Sequence, residues 1–265
     1  MKLLTILLAF AMFRWLEKPH SIKSFDWVES LHQWLAKRCS GLDQVYALTL
    51  VTPLLVMLVA FSSILAFEQD SLLHLLLHVV IVYYCLGPET MKSLLDSHHK
   101  VIDEVAQGSQ SETEQLINHM TDAAMHRWFG VFFWYAVLGV YGAVLFRMVC
   151  HLQQVKINKD DDSIRATLKL LEFPVAVLMT VSLALASDFD RIWKHCKQYL
   201  NGETIRTLNS QFLYKSMDYA VEQCEVDTAE THDVKIIGIT TYTVLTRMLV
   251  VWLVFAALMV IFSIG

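Results

Sequence analysis

The sequence predicts an all-α, polytopic membrane protein, with four or five transmembrane helices, an N-terminal helix and amphipathic surface helices. Two observations predict this class. The mean hydropathy is +0.44, with 55% hydrophobic and 18% charged residues, which is too apolar for a soluble domain of 265 residues. The long apolar runs also lack the alternation typical of strands. We therefore expect one integral membrane domain over residues 1–265.

The first element is the apolar start of the chain, MKLLTILLAFAMF. Its length suits a signal peptide, but only Lys2 precedes the apolar core, and no small-residue cleavage site follows. Arg14, Glu17 and Lys18 come next. We expect a retained N-terminal helix.

Five apolar runs follow, and a membrane crossing needs about 20 such residues. They cover residues 46–67, 72–87, 128–147, 173–186 and 247–264. The acidic link between the first two runs is short, which predicts an antiparallel hairpin. The 173–186 run is shorter than a standard span, so it either crosses the bilayer or lies as a re-entrant or buried helix.

Two polar connections, 88–125 and 188–246, separate these runs. The capping-box sequence SETE at 111–114 predicts a helix that continues unbroken into the 128–147 run. SDFD at 187–190 is a second helix cap, and the mixed charges after it are typical of surface helices. Basic residues in 14–45 place that segment in the cytoplasm.

If all five runs cross, both polar connections are cytoplasmic and the 147–170 loop is outside. The basic residues of that loop, such as Lys156 and Lys169, conflict with an outside position. The positive-inside rule therefore leaves the orientation of this loop open.

Several functional classes lack sequence support. The net charge of −5 predicts no nucleic-acid partner. The five cysteines are scattered without a CxxC pair, so neither a disulfide framework nor a zinc site is indicated. Phosphate-binding glycine loops and the GxSxG nucleophile motif do not occur. We predict neither a cofactor nor a metal, and expect the lipid bilayer as a partner.

Asn118, Asp122 and His126 form the first candidate site, for a ligand or a protein partner. Helical spacing stacks the three side chains on one face, just before the 128–147 run. An ordinary solvated stripe is the alternative. His74 and His78 share a helix face inside the 72–87 run, where ionisable residues are often functional. They either support metal or proton chemistry or form hydrogen bonds across the bundle.

Gly139, Gly142 and Ala143 form a cluster of small residues inside the 128–147 run. Small residues at helical spacing allow two membrane helices to approach closely. We predict that this cluster serves helix packing.

Three stretches resemble the AmpE family of membrane proteins, often encoded beside an amidase in beta-lactamase induction loci. They are LTILLAFAMFRWLEKPHSIKSFDWVESLHQWLAKR, FFWYAVLGVYGAVLFRM and LLEFPVAVLMTVSLAL. The apolar tail also fits, and the Phe133–Trp134 pair is the most specific part. The resemblance implies a multi-pass protein of the bacterial inner membrane, associated with beta-lactamase regulation and cell-wall stress.

AmpE is in turn similar to the CobD/CbiB enzymes, which use ATP to form an amide in cobalamin synthesis. Laid on this sequence, that family's upstream acid–amide cluster falls on Asp122, Ala123 and His126. Its downstream motif falls on residues 150–153, which read CHLQ. The resemblance therefore implies that both catalytic elements have lost essential members.

We accordingly expect a non-enzymatic membrane sensor or transducer, with a protein partner or a cell-wall-derived ligand. Two alternatives remain. One is a CobD/CbiB-like ligase with a rebuilt active site, and the other is a small-molecule binding or transport module that uses His74 and His78.

Overall fold

The computed structural model describes residues 2–15, 25–38, 42–67, 71–86, 110–155, 162–200, 202–226 and 234–264. Every regular element within these ranges is a helix, which confirms the all-α class. The described part of the chain forms two units. The first combines Met1–Pro88 with Gly130–Leu171, and the second combines Glu89–Phe129 with Glu172–Gly265.

The described residues of the first unit form six helices, apart from the start of a helix that continues into the second unit. They are α1 (Lys2–Trp15), α2 (Asp26–Ala36), α3 (Leu42–Phe67), α4 (Ser71–Cys85), α6 (Gly130–Leu138) and α7 (Val140–Val155). Helix α7 packs against α2, α3, α4 and α6. Phe146, Met148 and Val149 are fully buried on it. Helix α7 is therefore the core helix of this unit.

A sharp break at Gly139 divides the predicted 128–147 span. Gly139 has a φ of +69°, a left-handed conformation that glycine adopts without steric cost. Helix α6, with 9 residues, ends just before it. The 128–147 run therefore does not form one continuous helix.

The two glycines of the predicted packing cluster have different roles. A Cβ atom at Gly139 would meet nothing within 4 Å, so backbone conformation, and not the close helix contact that we expected, explains this glycine. A Cβ at Gly142 would lie 2.3 Å from the carbonyl oxygen of Trp134. Residues eight apart lie about 12 Å apart along a straight helix, so this proximity requires the bend. Ala143 is fully buried beside it.

The second unit contains α5 (Gln110–Ala124), a π-helical turn (Met125–Phe129), α9 (Phe189–Tyr199), α10 (Gly202–Thr207), α11 (Gln211–Val226) and α12 (Val234–Ile264). Helix α5 packs against α11 and α12, and α9 packs against α11. Asp188 caps α9 by accepting a hydrogen bond from the Arg191 backbone N–H, which confirms the predicted cap. The imidazole of His195 stacks on Tyr219, with 4.4 Å between ring centroids.

Helix α8 (Asp162–Ala186) contains the predicted 173–186 run and contributes to both units. Within the second unit, the Trp252 indole donates a 2.6 Å hydrogen bond to the Ser182 hydroxyl, which ties α12 to α8. The ring of Phe129 meets the same indole edge-on. These contacts fix the helices that carry the candidate site.

Two described segments, Ser163–Ala186 and Ile236–Phe255, are long and apolar enough to cross a membrane. Two shorter apolar segments are Val45–Ala60 and Leu75–Cys85. Large apolar side chains are exposed along α3 and α12: Leu55, Val56, Leu58, Val59, Val250, Val254, Phe255 and Leu258. On each of these two helices, such apolar exposure is typical of a surface that contacts lipid or another protein.

Candidate functional site

The predicted residues Asn118, Asp122 and His126 lie in the second unit, on α5 and the π-helical turn that follows it. The turn is anchored by the buried side chains of Met125 and Phe129. A π turn adds a residue to the helical circuit, and such turns often occur at functional sites. Here it contains His126 at the point where the polar stripe meets the apolar sequence.

Two carboxylates hold the imidazole of His126. Its Nδ1 lies 3.2 Å from Asp122 Oδ2, and its Nε2 lies 2.5 Å from Glu172 Oε1. The side chains of His126 and Glu172 are only 12% and 14% exposed. Ionised carboxylates accept hydrogen bonds and do not donate them, whereas neutral imidazole has one N–H. Both carboxylates receive a hydrogen bond from His126 when its ring carries a proton on each nitrogen.

Tyr214 on α11 completes the cluster, and its hydroxyl donates a 2.9 Å hydrogen bond to Asp122 Oδ1. Burial is the largest influence on the pKa of Asp122 and would raise it. The hydrogen bond and charge of His126, the hydrogen bond from Tyr214 and the charge of His119 together outweigh burial, so this pKa lies below the ordinary 3.8. Burial and the adjacent Asp122 charge raise the pKa of Tyr214. At neutral pH, Asp122 is therefore a carboxylate and Tyr214 a hydrogen-bond donor.

Glu172 and Tyr214 are members of this cluster that the sequence analysis did not select. Glu172 carried a signal, because it is the charged residue directly before the apolar 173–186 run, and such boundary charges are often functional. Tyr214 carried none, since it lies 92 residues from Asp122 along the chain. The hydrogen bond between Tyr214 and Asp122 forms only because α5 and α11 pack against each other.

Asn118 is one helical turn before Asp122 on the same stripe. Its Oδ1 is buried and has no hydrogen-bond partner among the described residues. Buried polar atoms are nearly always paired, so this atom requires an explanation. No three His, Cys, Asp or Glu side chains in the described ranges are arranged to hold a metal ion.

The two histidines of the 72–87 run belong to the first unit. His78 Nδ1 lies 2.9 Å from the Tyr135 hydroxyl, and the two rings meet edge-on. The side chain of His74, in the same helix, lies outside the part of the chain that the structure describes. The geometry at His78 agrees with the hydrogen-bonding alternative, in which the ring links α4 to α6.

The positions that the CobD/CbiB resemblance selects fall in both units. Asp122 and Ala123 lie on α5, whereas Cys150 and His151 lie on α7, where Cys150 is buried. No protein-family model, curated protein or solved structure matches the chain. The resemblance to AmpE therefore stays a prediction from the quoted stretches.

Proposed function

We propose that this chain is a non-catalytic regulatory protein of the bacterial inner membrane, of the AmpE type, associated with beta-lactamase induction and cell-wall stress. The observation that carries the proposal is the pairing of both His126 ring nitrogens with carboxylates. A general base needs a nitrogen within reach of a substrate proton. His126 has none to offer, because Asp122 and Glu172 occupy both.

The same contacts suit signal transmission. The ring of His126 joins Asp122 on α5 to Glu172 on α8, and Tyr214 joins Asp122 to α11. Three helices of the second unit therefore depend on one hydrogen-bonded cluster. The Asp122 side chain is 48% exposed, so a ligand or partner can reach it. Binding there would compete with His126 or Tyr214 and so change how the three helices are held.

The bond between Asp122 and Tyr214 also constrains the membrane topology. Two side chains that share a 2.9 Å hydrogen bond lie on the same side of a bilayer. The chain between them contains the 128–147 and 173–186 runs, so either both runs cross the membrane or neither does. A four-span topology in which 128–147 crosses and 173–186 does not would place Asp122 and Tyr214 on opposite sides of the membrane. That arrangement is incompatible with their hydrogen bond.

We favour the arrangement in which neither run crosses completely. The bend at Gly139 brings Trp134 and Gly142 together, which is typical of a chain that enters and returns. The basic 147–170 loop then stays in the cytoplasm, in agreement with the positive-inside rule. Complete crossings would be made by the 46–67 and 72–87 runs and by α12.

The regulatory role is tested in a bacterium with an inducible beta-lactamase, by removing the chain and restoring it as wild type or as His126→Ala. We expect that removal changes beta-lactamase activity after exposure to a beta-lactam severalfold, and that His126→Ala does not restore it. His195→Ala is the matched control, because it removes a packed imidazole away from the cluster.

Protein levels of all variants are compared by immunoblotting of membranes. Induction that is unchanged when the chain is removed would contradict the proposed function. Equal rescue by His126→Ala and wild type would contradict the role of the cluster in it.

A further inference from the structure

Besides the Ser216 hydroxyl, three buried side-chain oxygen atoms on α5 and α11 lack a hydrogen-bond partner among the described residues. They are Asn118 Oδ1, Asp218 Oδ1 and Asp218 Oδ2. Asp218 is 7% exposed overall, and its side chain is 10% exposed. A buried carboxylate without a donor costs several kcal/mol unless a positive charge or a proton accompanies it.

Asn118 and Asp218 belong to the two helices of the α5–α11 contact. On α5, Glu114, Asn118 and Asp122 are spaced four residues apart and share one face. On α11, Tyr214 and Asp218 share a face in the same way. Two contacts align the helices: the Tyr214–Asp122 hydrogen bond at one end, and an approach of 3.8 Å between the Lys215 ammonium and Glu114 at the other. Asn118 is midway along this contact.

Among the described residues, Lys215 makes a long ion pair with Asp218 but no hydrogen bond. Lys215 Nζ is 3.9 Å from Asp218 Oδ2 and 3.8 Å from Glu114 Oε2, and both distances exceed a hydrogen bond. The Lys215 side chain is 47% exposed, so water solvates its charge. Lys215 is shared between Glu114 and Asp218, so these three side chains together carry one net negative charge.

We propose that Asn118 and Asp218 form a binding site for a small monovalent cation, such as a sodium ion, between α5 and α11. The donor set is oxygen only, which suits hard cations. One carboxylate and one neutral amide carry one negative charge, which matches a monovalent ion. A divalent ion would need further carboxylates, and the described residues offer none in a metal-binding group. Water molecules would supply the remaining ligands.

This inference deepens the proposed function and rests on it, since a cation bound one turn from Asp122 would be part of what the second unit senses. The site is connected to the His126 cluster through α5, which carries Asn118 and Asp122, and through α11, which carries Tyr214 and Asp218. Occupancy would draw the two helices together at the same contact that the Tyr214–Asp122 hydrogen bond closes.

The test measures thermal unfolding of the purified full chain in detergent at about pH 8 and constant ionic strength, with sodium chloride replacing N-methyl-D-glucamine chloride. We expect the unfolding midpoint of the wild type to rise saturably, by on the order of several degrees. The same measurement with potassium chloride and with ammonium chloride shows how the unfolding midpoint depends on the size and chemistry of the ion. Broadening of the ²³Na resonance provides a second measurement of binding.

Asp218→Asn should abolish the saturable rise, and Asp190→Asn, which removes an exposed carboxylate on α9, should leave it intact. Asn118→Asp should lower the half-saturating sodium concentration, since it adds a carboxylate ligand. Circular dichroism shows whether each variant is folded. Because Asn118→Asp gains binding, its effect does not depend on a loss that misfolding could mimic.

A midpoint that is independent of sodium in the wild type, or an equal response in Asp218→Asn, would overturn the cation site. A midpoint that rises on acidification alone, with no sodium effect, would show that a proton occupies Asp218 instead. The induction experiment is separate. If His126→Ala alters induction while sodium has no effect, the proposed function stands and the site fails. If sodium binds but removal of the chain leaves induction unchanged, the cation site is supported and the proposed function is contradicted.

Discussion

Asp122 and Asp218 lie on two helices of one contact, and their environments shift their pKa values in opposite directions. Asp122 is held by donors and a positive ring, and its pKa is lowered. Asp218 has no hydrogen-bond donor among the described residues. Its pKa is raised to about 6, mainly by burial. The charge of Lys215 opposes this shift, and the charges of Glu114 and Glu222 add to it. The contrast shows that the hydrogen-bond donors and charges around a buried carboxylate decide the direction in which its pKa shifts.

Asp122→Asn should lower the free energy of unfolding by about 1 kcal/mol near pH 7. The effect is small because Asp122 is half-exposed, so water screens its interaction with His126. Because the pKa of folded Asp122 lies below 3.8, its contribution is present above pH 3.8 and is lost as the pH falls further. Chemical unfolding in detergent across this pH range measures the difference. A difference from wild type that persists undiminished at about pH 2 would contradict it.

Asp218→Asn should raise the free energy of unfolding, by about 2 kcal/mol at about pH 8 without small cations, since it removes a buried charge. The pKa of folded Asp218 exceeds the ordinary 3.8, so the penalty shrinks as the pH falls from about 6 and is absent below 3.8. Asp190→Asn is the control. A destabilising effect of Asp218→Asn at about pH 8 would contradict this prediction, because it would mean that a partner in the folded protein stabilises the carboxylate.

The third prediction at this scale concerns ligase chemistry. Purified protein given ATP, magnesium, cobyric acid and an amine should release no phosphate above background. Both oxygens of Asp122 are already engaged by His126 and Tyr214, and the remaining positions of the compared motifs hold residues such as Ala123 and Cys150. Asp122→Ala is the control. Turnover that disappears in Asp122→Ala would establish the ligase alternative instead.

At the scale of elements, the turn between α6 and α7 depends on two glycines for different reasons. Gly139→Ala places a Cβ in a left-handed conformation and should lower the free energy of unfolding by about 1 kcal/mol. Gly142→Ala drives a Cβ to 2.3 Å from a backbone oxygen, which cannot move aside easily, and should cost about 1–3 kcal/mol.

Gly202→Ala is the matched control for both, because a Cβ there meets nothing within 4 Å and no positive φ is required. Denaturant unfolding in detergent measures all three variants. Helix propensity alone favours alanine over glycine at an interior position such as Gly142. A neutral or stabilising result for Gly142→Ala would therefore mean that α6 and α7 do not approach each other as described.

At the scale of the whole molecule, the topology proposal predicts the behaviour of reporter fusions. A fusion after residue 69 should report the periplasm, and fusions after residues 110 and 215 should both report the cytoplasm, because Asp122 and Tyr214 share a side. A fusion after residue 158 should also be cytoplasmic, in agreement with the basic loop around it. A periplasmic result at 158 alone would establish five spans. Opposite results at 110 and 215 would contradict the α5–α11 contact.

The sequence by itself determined the helical class, the apolar runs, the Asp188 cap and the stripe of Asn118, Asp122 and His126. Each of these depends on local spacing, and spacing along a helix is readable from one segment alone. Gly139 shows where this reasoning stops. Small residues at helical spacing are compatible both with a packed helix interface and with a break in the helix. The backbone conformation at Gly139 distinguishes these two cases, and it depends on the packing of α6 and α7.

Only the tertiary structure brought Glu172 and Tyr214 to the stripe and left Asp218 buried without a donor. These residues come from α8 and α11, far along the chain from α5. The pKa of a carboxylate depends on the donors around it, and Tyr214, one of the donors to Asp122, lies on another helix. Helix periodicity places a side chain on a face, but the packing of several helices decides what that face contacts.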